Sequence, residues 1–223
     1  MSFEVEVFPE EAYAAEAAAA ILSALPARGS VVLTGGTTAE RIYPLLGADP
    51  DVWSNIEILF SDERCVPPDH DESNFKMAAR LLLDPAGVRT IHRMRGEDEP
   101  LEGAERYHHE IAPVVEAGLD LLLLGMGADA HVGAMFPGSP ALGETENLCA
   151  AVDRPDGMRG LTLTPPAMLA ARKILLLVTG TSKAQTLGRV IEGDEPPSAC
   201  PARLLADHPD ATFLLDTPAA SAL

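Results

Sequence analysis

The run L-D-L-L-L-L-G-M-G-A-D-A-H-V-G-A-M-F-P-G-S, residues 119–139, carries Asp129 and His131 just past an apolar stretch. An imidazole held near a carboxylate suits acid–base work on a bound molecule. Leu121 to Leu124 is apolar without alternation, which predicts a strand covered on both faces, as in a parallel sheet. In doubly wound sheets ligands lie beyond the carboxyl ends of the strands, so a histidine directly after such a strand is placed to act on one.

Three other stretches offer polar groups at strand ends. T-G-G-T-T, residues 34–38, follows a short strand and opens a helix. Gly35 and Gly36 allow close approach of a ligand, and Thr37 and Thr38 bring hydroxyls and N–H groups to a helix start, a common way of holding phosphate, although a plain tight turn has the same signature. S-D-E-R-C-V, residues 61–66, is either a solvated turn in which Asp62 or Glu63 pairs with Arg64, or part of a site. T-G-T-S-K-A, residues 179–184, places Lys183 in the first turn of a helix, against the helix dipole, where a nearby anion would offset it.

Other chemistries fail on residue type. G-M-G-A-D-A, residues 125–130, has Ala130 where a dinucleotide site needs a third glycine, and no acidic partner follows a second strand. There is no G-x-S-x-G elbow for a serine nucleophile. Asp129 and His131 are two ligands where hydrolytic zinc needs three, and His108-His109 point about 100° apart on a helix, so no metal is expected.

These loops need elements to hold them. Strands are predicted over Phe3–Phe8 (an edge), Ser30–Leu33, Ile56–Phe60, within Val88–Arg95, from Leu119, over Ala150–Val152, residues 159–164, Ile174–Val178 and Thr212–Leu215. Helices alternate with them: Pro9 to about Leu25, Ala39–Leu46, Ser73 as N-cap of a helix through Leu83, one from Leu101 that Pro113 should kink or end, Pro165 to Arg172, and one after Lys183. The alternation implies an α/β fold, doubly wound, with a mainly parallel sheet, helices on both faces and the glycine loops on one edge.

The chain has 223 residues, which suits a single domain over 1–223, and a formal net charge of −18, which disfavours nucleic acid and anionic membranes. An anionic substrate would have to rely on local basic side chains and backbone N–H groups. Cys65, Cys149 and Cys200 match neither a CxxC pair nor a zinc set, pointing to a reduced, cytoplasmic setting. M-S-F-E-V-E-V-F carries acids where a signal peptide needs bases, and no apolar run approaches the ~18 residues of a membrane span.

Five blocks in order, L-T-G-G-T-T-A-E-R-I-Y-P-L-L, W-S-N-I-E-I-L-F-S-D-E-R-C-V-P-P-D-H-D-E-S-N-F, D-L-L-L-L-G-M-G-A-D-A-H-V-G-A-M-F-P-G-S-P-A-L, L-T-L-T-P-P-A-M-L-A-A-R-K-I-L-L-L-V-T-G-T-S-K-A and P-A-R-L, resemble the 6-phosphogluconolactonase family, within the wider group that shares the glucosamine-6-phosphate deaminase (NagB/RpiA-like) fold. They span most of the chain from Val31 to Leu205. The resemblance implies cofactor-free hydrolysis of 6-phosphogluconolactone in the oxidative pentose phosphate pathway; the assembly expected is a monomer or small homo-oligomer. Position by position, it implies phosphate on Gly35, Gly36, Thr37 and Thr38 with Lys183 and Arg203, Asp62 and Arg64 facing the substrate, His131 as general base and Asp129 orienting it. Arg64 or backbone N–H groups of the 125–131 loop would serve the developing oxyanion.

The chain departs from the family in having Ala128 and Ala130 in place of proline and glycine, and V-G-A-M in place of T-A-S-L. The family's arginine before the T-L-T strand falls at Gly160, leaving its phosphate role to Arg159 or unfilled. A glucosamine-6-phosphate deaminase or isomerase using the same loops, or a sugar-phosphate-sensing domain, are the competing readings.

Overall fold

The structure, a computed structural model, describes residues 3–223; Met1 and Ser2, the start of the stretch read above for a signal peptide, lie outside them. In chain order it contains β1 (Glu4–Phe8), α1 (Tyr13–Ala24), β2 (Gly29–Leu33), α2 (Thr37–Leu46), β3 (Ile56–Phe60), β4 (Asp62–Arg64), α3 (Asn74–Ala78) and β5 (Thr90–Ile91). Then come α4 (Pro100–Ala117), β6 (Leu119–Gly125), β7 (Cys149–Asp153), β8 (Arg159–Leu163), α5 (Pro165–Leu169), β9 (Ala171–Val178), α6 (Ala184–Glu192) and β10 (Ala211–Asp216).

Seven strands form one parallel sheet in the order β1-β10-β9-β6-β2-β3-β5, flanked by helices. The continuous apolar runs behave as a parallel sheet demands: Val31 to Leu33, Leu121 to Leu124 and Leu176 have no exposed surface. From β2 the chain winds outward through β3 and β5, then returns to the other side of β2 with β6 and continues through β9 to β10. The winding therefore reverses between β2 and β6, which pair at Val31↔Leu121 and Val32↔Leu122. A crevice opens beyond the carboxyl ends at such a reversal.

Three elements depart from expectation. The stretch at 61–66, with a solvated turn as one reading, instead forms β4, which pairs antiparallel with β8, and β8 with β7, as a second sheet of three strands. Helix α4 runs on through Pro113 to Ala117. The helix opened by Pro165 and Pro166 stops at Leu169 rather than Arg172, because Ala171 already starts β9 in register with Leu119.

Glu63 ties the 61–75 segment together. Its carboxylate is 3% exposed and accepts from the backbone N–H of Arg64 (2.8 Å), Asn74 (2.8 Å) and Phe75 (2.8 Å) and from the Ser73 hydroxyl (2.9 Å). Burial pushes its pKa up, and those four donors work against the rise. Ser73 in turn caps α3, accepting from Lys76 N–H at 3.1 Å. Replacing Glu63 by Gln sets an amide NH2 against backbone N–H groups, which can only donate. Glu63→Gln should therefore lower stability by about 1–3 kcal/mol, measured as a shift of the urea midpoint at constant m-value.

Candidate active site

Each loop at the sheet edge is fixed by a residue outside it. After β2, the Tyr43 hydroxyl donates to Thr34 O (2.6 Å) and accepts from Thr34 N–H (3.0 Å), so the chain leaves the strand in one direction. Gly36 has φ 94°, open to glycine and strained for other residues, and opens α2 with no side-chain cap. The first N–H groups of that helix are thus left for a ligand. Gly35 has a packing reason: a Cβ there would sit 2.1 Å from Asn74 Oδ1. Asn74 Nδ2 donates to Asp62 O (2.9 Å) and Oδ2 (3.1 Å), while Ser61 Oγ donates to Asp62 Oδ1 (2.7 Å), aiming a nearly buried carboxylate at the crevice.

The loop after β6 doubles back on itself. Gly127 N–H donates to His131 O at 2.9 Å, and Met126 and Val132 bridge antiparallel. Ala130, fully buried between Asp129 and His131, has φ 70°, so the left-handed geometry that favours glycine is present and is filled by alanine. That conformation costs about 1–2 kcal/mol for a residue with a Cβ, held here by Ala130 O accepting from Ala202 N–H at 2.9 Å and Ala128 O from the Thr186 hydroxyl at 2.6 Å.

Within this frame His131 Nδ1 lies 2.6 Å from Asp129 Oδ1, which also accepts the His131 N–H at 3.1 Å. Burial pushes the Asp129 carboxyl up, but its hydrogen bond to His131 and the charge of that ring outweigh burial and hold it at about 2. An ionised carboxylate can only accept, so Nδ1 is the donor to Asp129; in the neutral form of the ring that tautomer leaves the Nε2 lone pair free, the arrangement of a base. The ring rests on Phe136, centroids 4.4 Å apart, which fixes its plane. Gly127 leaves the space for the pair: a Cβ there would lie 2.0 Å from His131 Nδ1 and 2.5 Å from Asp129 Oδ1.

After β9, Gly180 N–H is held by both oxygens of the buried Asp216 (2.9 and 3.0 Å), and Thr179 Oγ1 lies 2.9 Å from Thr38 Oγ1, tying this loop to the glycine turn. Lys183 follows; burial lowers its pKa, and the nearby negative charge of Asp129 counters the drop.

One cleft of about 390 Å3 collects these groups: Gly35, Gly36, Thr37, Thr38, Asp62, Arg64, His131 and Lys183 all line it, and Asp129 backs the histidine. Two expected phosphate ligands stand elsewhere. Arg203 points into the protein and donates to the carbonyls of Val190 (2.9 Å) and Glu195 (2.8 Å), bracing the segment after α6. Arg159, on an outward position of β8, faces Asp153 (3.4 Å) and Glu99 (3.9 Å). The cleft instead contains Arg154, from the turn between β7 and β8, together with Thr179 and Ser182. Thr179 and Ser182 belong to a loop already singled out; Arg154 carries no spacing signal, since a strand pairing distant in sequence brings it in. Among the described residues no group of three or more His, Cys, Asp or Glu is placed to hold a metal ion, and no helix is long and apolar enough to cross a membrane.

A parallel sheet with a cleft at its winding reversal, lined by a glycine turn at a helix start and by a histidine backed by a carboxylate, defines an α/β protein of the doubly wound class. Residues 9–214 match the family model described as glucosamine-6-phosphate isomerases/6-phosphogluconolactonase, and the chain belongs to that family. It is 35% identical over 247 residues to the 6-phosphogluconolactonase of Mycobacterium tuberculosis, covering 100% of this chain and 99% of the relative. With the 6-phosphogluconolactonase of Synechocystis it shares 35% identity over 198 residues, 85% of this chain and 82% of the relative. The solved 6-phosphogluconolactonase of Trypanosoma cruzi superposes with a TM-score of 0.89 at 26% identity, covering 100% of this chain and 98% of that one.

Gly127→Ala tests the histidine–aspartate geometry without removing either group. The added methyl must displace the ring or the carboxylate, and a shift of about 1 Å at a reacting group can cost about 10²-fold in rate. The expected result is a fall in kcat of that order with little change in melting temperature, measured in parallel on the same preparation.

Proposed function

We propose that this chain hydrolyses 6-phospho-D-glucono-1,5-lactone to 6-phospho-D-gluconate, as in the oxidative pentose phosphate pathway, with His131 as general base and no cofactor. The observation that carries this reading is that His131 and the glycine turn Gly35–Thr38 line one cleft, with Lys183 and Arg64 supplying positive charge to it. The substrate phosphate sits on the N–H groups at the start of α2, assisted by Lys183, and the lactone ring reaches across to His131.

Nε2 takes a proton from water as its oxygen adds to the lactone carbonyl; the tetrahedral intermediate then expels the ring oxygen, which recovers the proton from the imidazolium. The carboxylic acid so formed gives its proton to water, so atoms and charge balance without a covalent enzyme intermediate. A lactone is an activated ester, so a positioned base, typically worth about 10²–10⁴-fold, together with donors for the oxyanion suffices. Asp129 remains ionised down to about pH 2, so it steadies the imidazolium throughout the working range. The same reading goes with a single domain acting in the cytoplasm as a monomer or small homo-oligomer.

The decisive measurement is lactone opening with the spontaneous rate subtracted. His131→Ala should lower kcat by at least about 10²-fold with KM nearly unchanged; near-normal turnover would move the base elsewhere. Ammonia release from glucosamine 6-phosphate without lactone opening would favour the deaminase reading, and binding without turnover the sensor reading. Lys183→Ala should chiefly raise KM for the phosphorylated lactone, and an equal loss with unphosphorylated gluconolactone would contradict a phosphate contact there.

A further inference from the structure

Arg154 is a nearly buried cation that the local turn alone does not explain. Its side chain is 11% exposed, and its Nε and Nη2 both donate to Asp156 Oδ2, at 3.1 and 3.0 Å. Nη1 makes no hydrogen bond among the described residues, and the side chain lines the cleft shared by His131, Arg64 and Lys183. Two of three nitrogens are therefore clamped, and the third has no partner among the described residues.

Its route into the cleft depends on a missing side chain. At Gly160 of β8, a Cβ would stand 3.2 Å from Arg154 Cδ and 3.2 Å from Glu63 O, so the arginine stem crosses the strand where no side chain stands. Its direction is set by Phe136: Arg154 Cζ lies 5.4 Å from the centroid of that ring, and the His131 ring lies 4.4 Å from the same centroid. Arginine and histidine thus share one aromatic neighbour and line one cleft. Asp129 directs the imidazole as Asp156 directs the guanidinium. A guanidinium stays charged throughout the accessible pH range and donates without needing a proton from elsewhere.

Resting on the lactonase reading, we propose that Arg154 is a catalytic residue that presents Nη1 to the lactone carbonyl oxygen as it becomes an oxyanion, with Asp156 as its positioning residue. The attacking water comes from the His131 side and the electron pair of the C=O bond moves onto the oxygen facing Arg154. Collapse of the intermediate returns that pair, and the same contact then holds the carboxylate product until release.

The test measures kcat and KM of Arg154→Ala, Arg154→Met and Arg154→Lys on 6-phosphogluconolactone and on unphosphorylated gluconolactone, spontaneous opening subtracted, with a melting curve for each. Removing a donor of this kind typically costs about 10²–10³-fold in kcat. Arg154→Ala should therefore lose about 10²-fold in kcat on both lactones, with KM little changed. Arg154→Met keeps the stem across Gly160 without the charge; it should match the alanine variant and carries the test where that variant melts early. Arg154→Lys should recover part of the loss. A loss confined to the phosphorylated lactone would assign Arg154 to the phosphate and overturn the proposal, as would unchanged kcat in a folded Met variant. Wild-type activity abolished by His131→Ala but kept in Arg154→Met sinks only this inference, whereas a wild type inert on both lactones removes the lactonase reading itself.

Discussion

The site depends on the reversal of winding between β2 and β6. Because the seven strands of the main sheet are parallel, each ends on the same edge, and at most positions the crossover segments cover that edge. Only where the chain departs in opposite directions from two adjacent strands do the loops part. Here the two loops that part carry the glycine turn and the histidine. β9 and β3, the outer neighbours of that pair, add Lys183 on one side and Asp62 with Arg64 on the other.

Electrostatics sharpen what topology provides. A chain of net charge −18 repels anions at long range, yet Arg64, Arg154 and Lys183 converge on a cleft in which Asp62 is the facing carboxylate. Several other acids near these cations are taken up locally: Glu63 by four donors, Asp129 by His131 and Asp156 by Arg154. Any attraction of an anion to this cleft would therefore rest on short-range contacts in a partly desolvated recess, where they are stronger than at the surface.

Much of this was legible in the sequence where local rules apply. The apolar runs of β2, β6 and β9, Ser73 as an N-cap and the glycine loops at strand ends follow from periodicity and turn chemistry. Arg64, His131 and Lys183 could be singled out because each directly follows a strand. What was not legible depends on distant pairing. β4 exists because Asp62 meets Thr162 a hundred positions later, and the same small sheet carries the turn from which Arg154 reaches the cleft. Arg203 and Arg159 stand outside the cleft for the same reason: carbonyls of the α6 segment and outward-facing acids hold their guanidinium groups. Helix α5 shortened because pairing of Ala171 with Leu119 outweighed local helix preference.

The cross-ties between loops have a further consequence. Thr34 Oγ1 accepts from Gly125 N–H at 3.3 Å, Leu33 O from Ser61 N–H at 2.8 Å, and the Thr38–Thr179 contact joins the first loop to the last. The groups meant for a ligand are thus brought together by the folding reaction itself, and the conformational entropy of arranging them is spent before any substrate arrives. The loops around the cleft are preorganised in this way. Their vulnerability is collective, since loosening one tie disturbs loops that are remote in sequence but mechanically continuous.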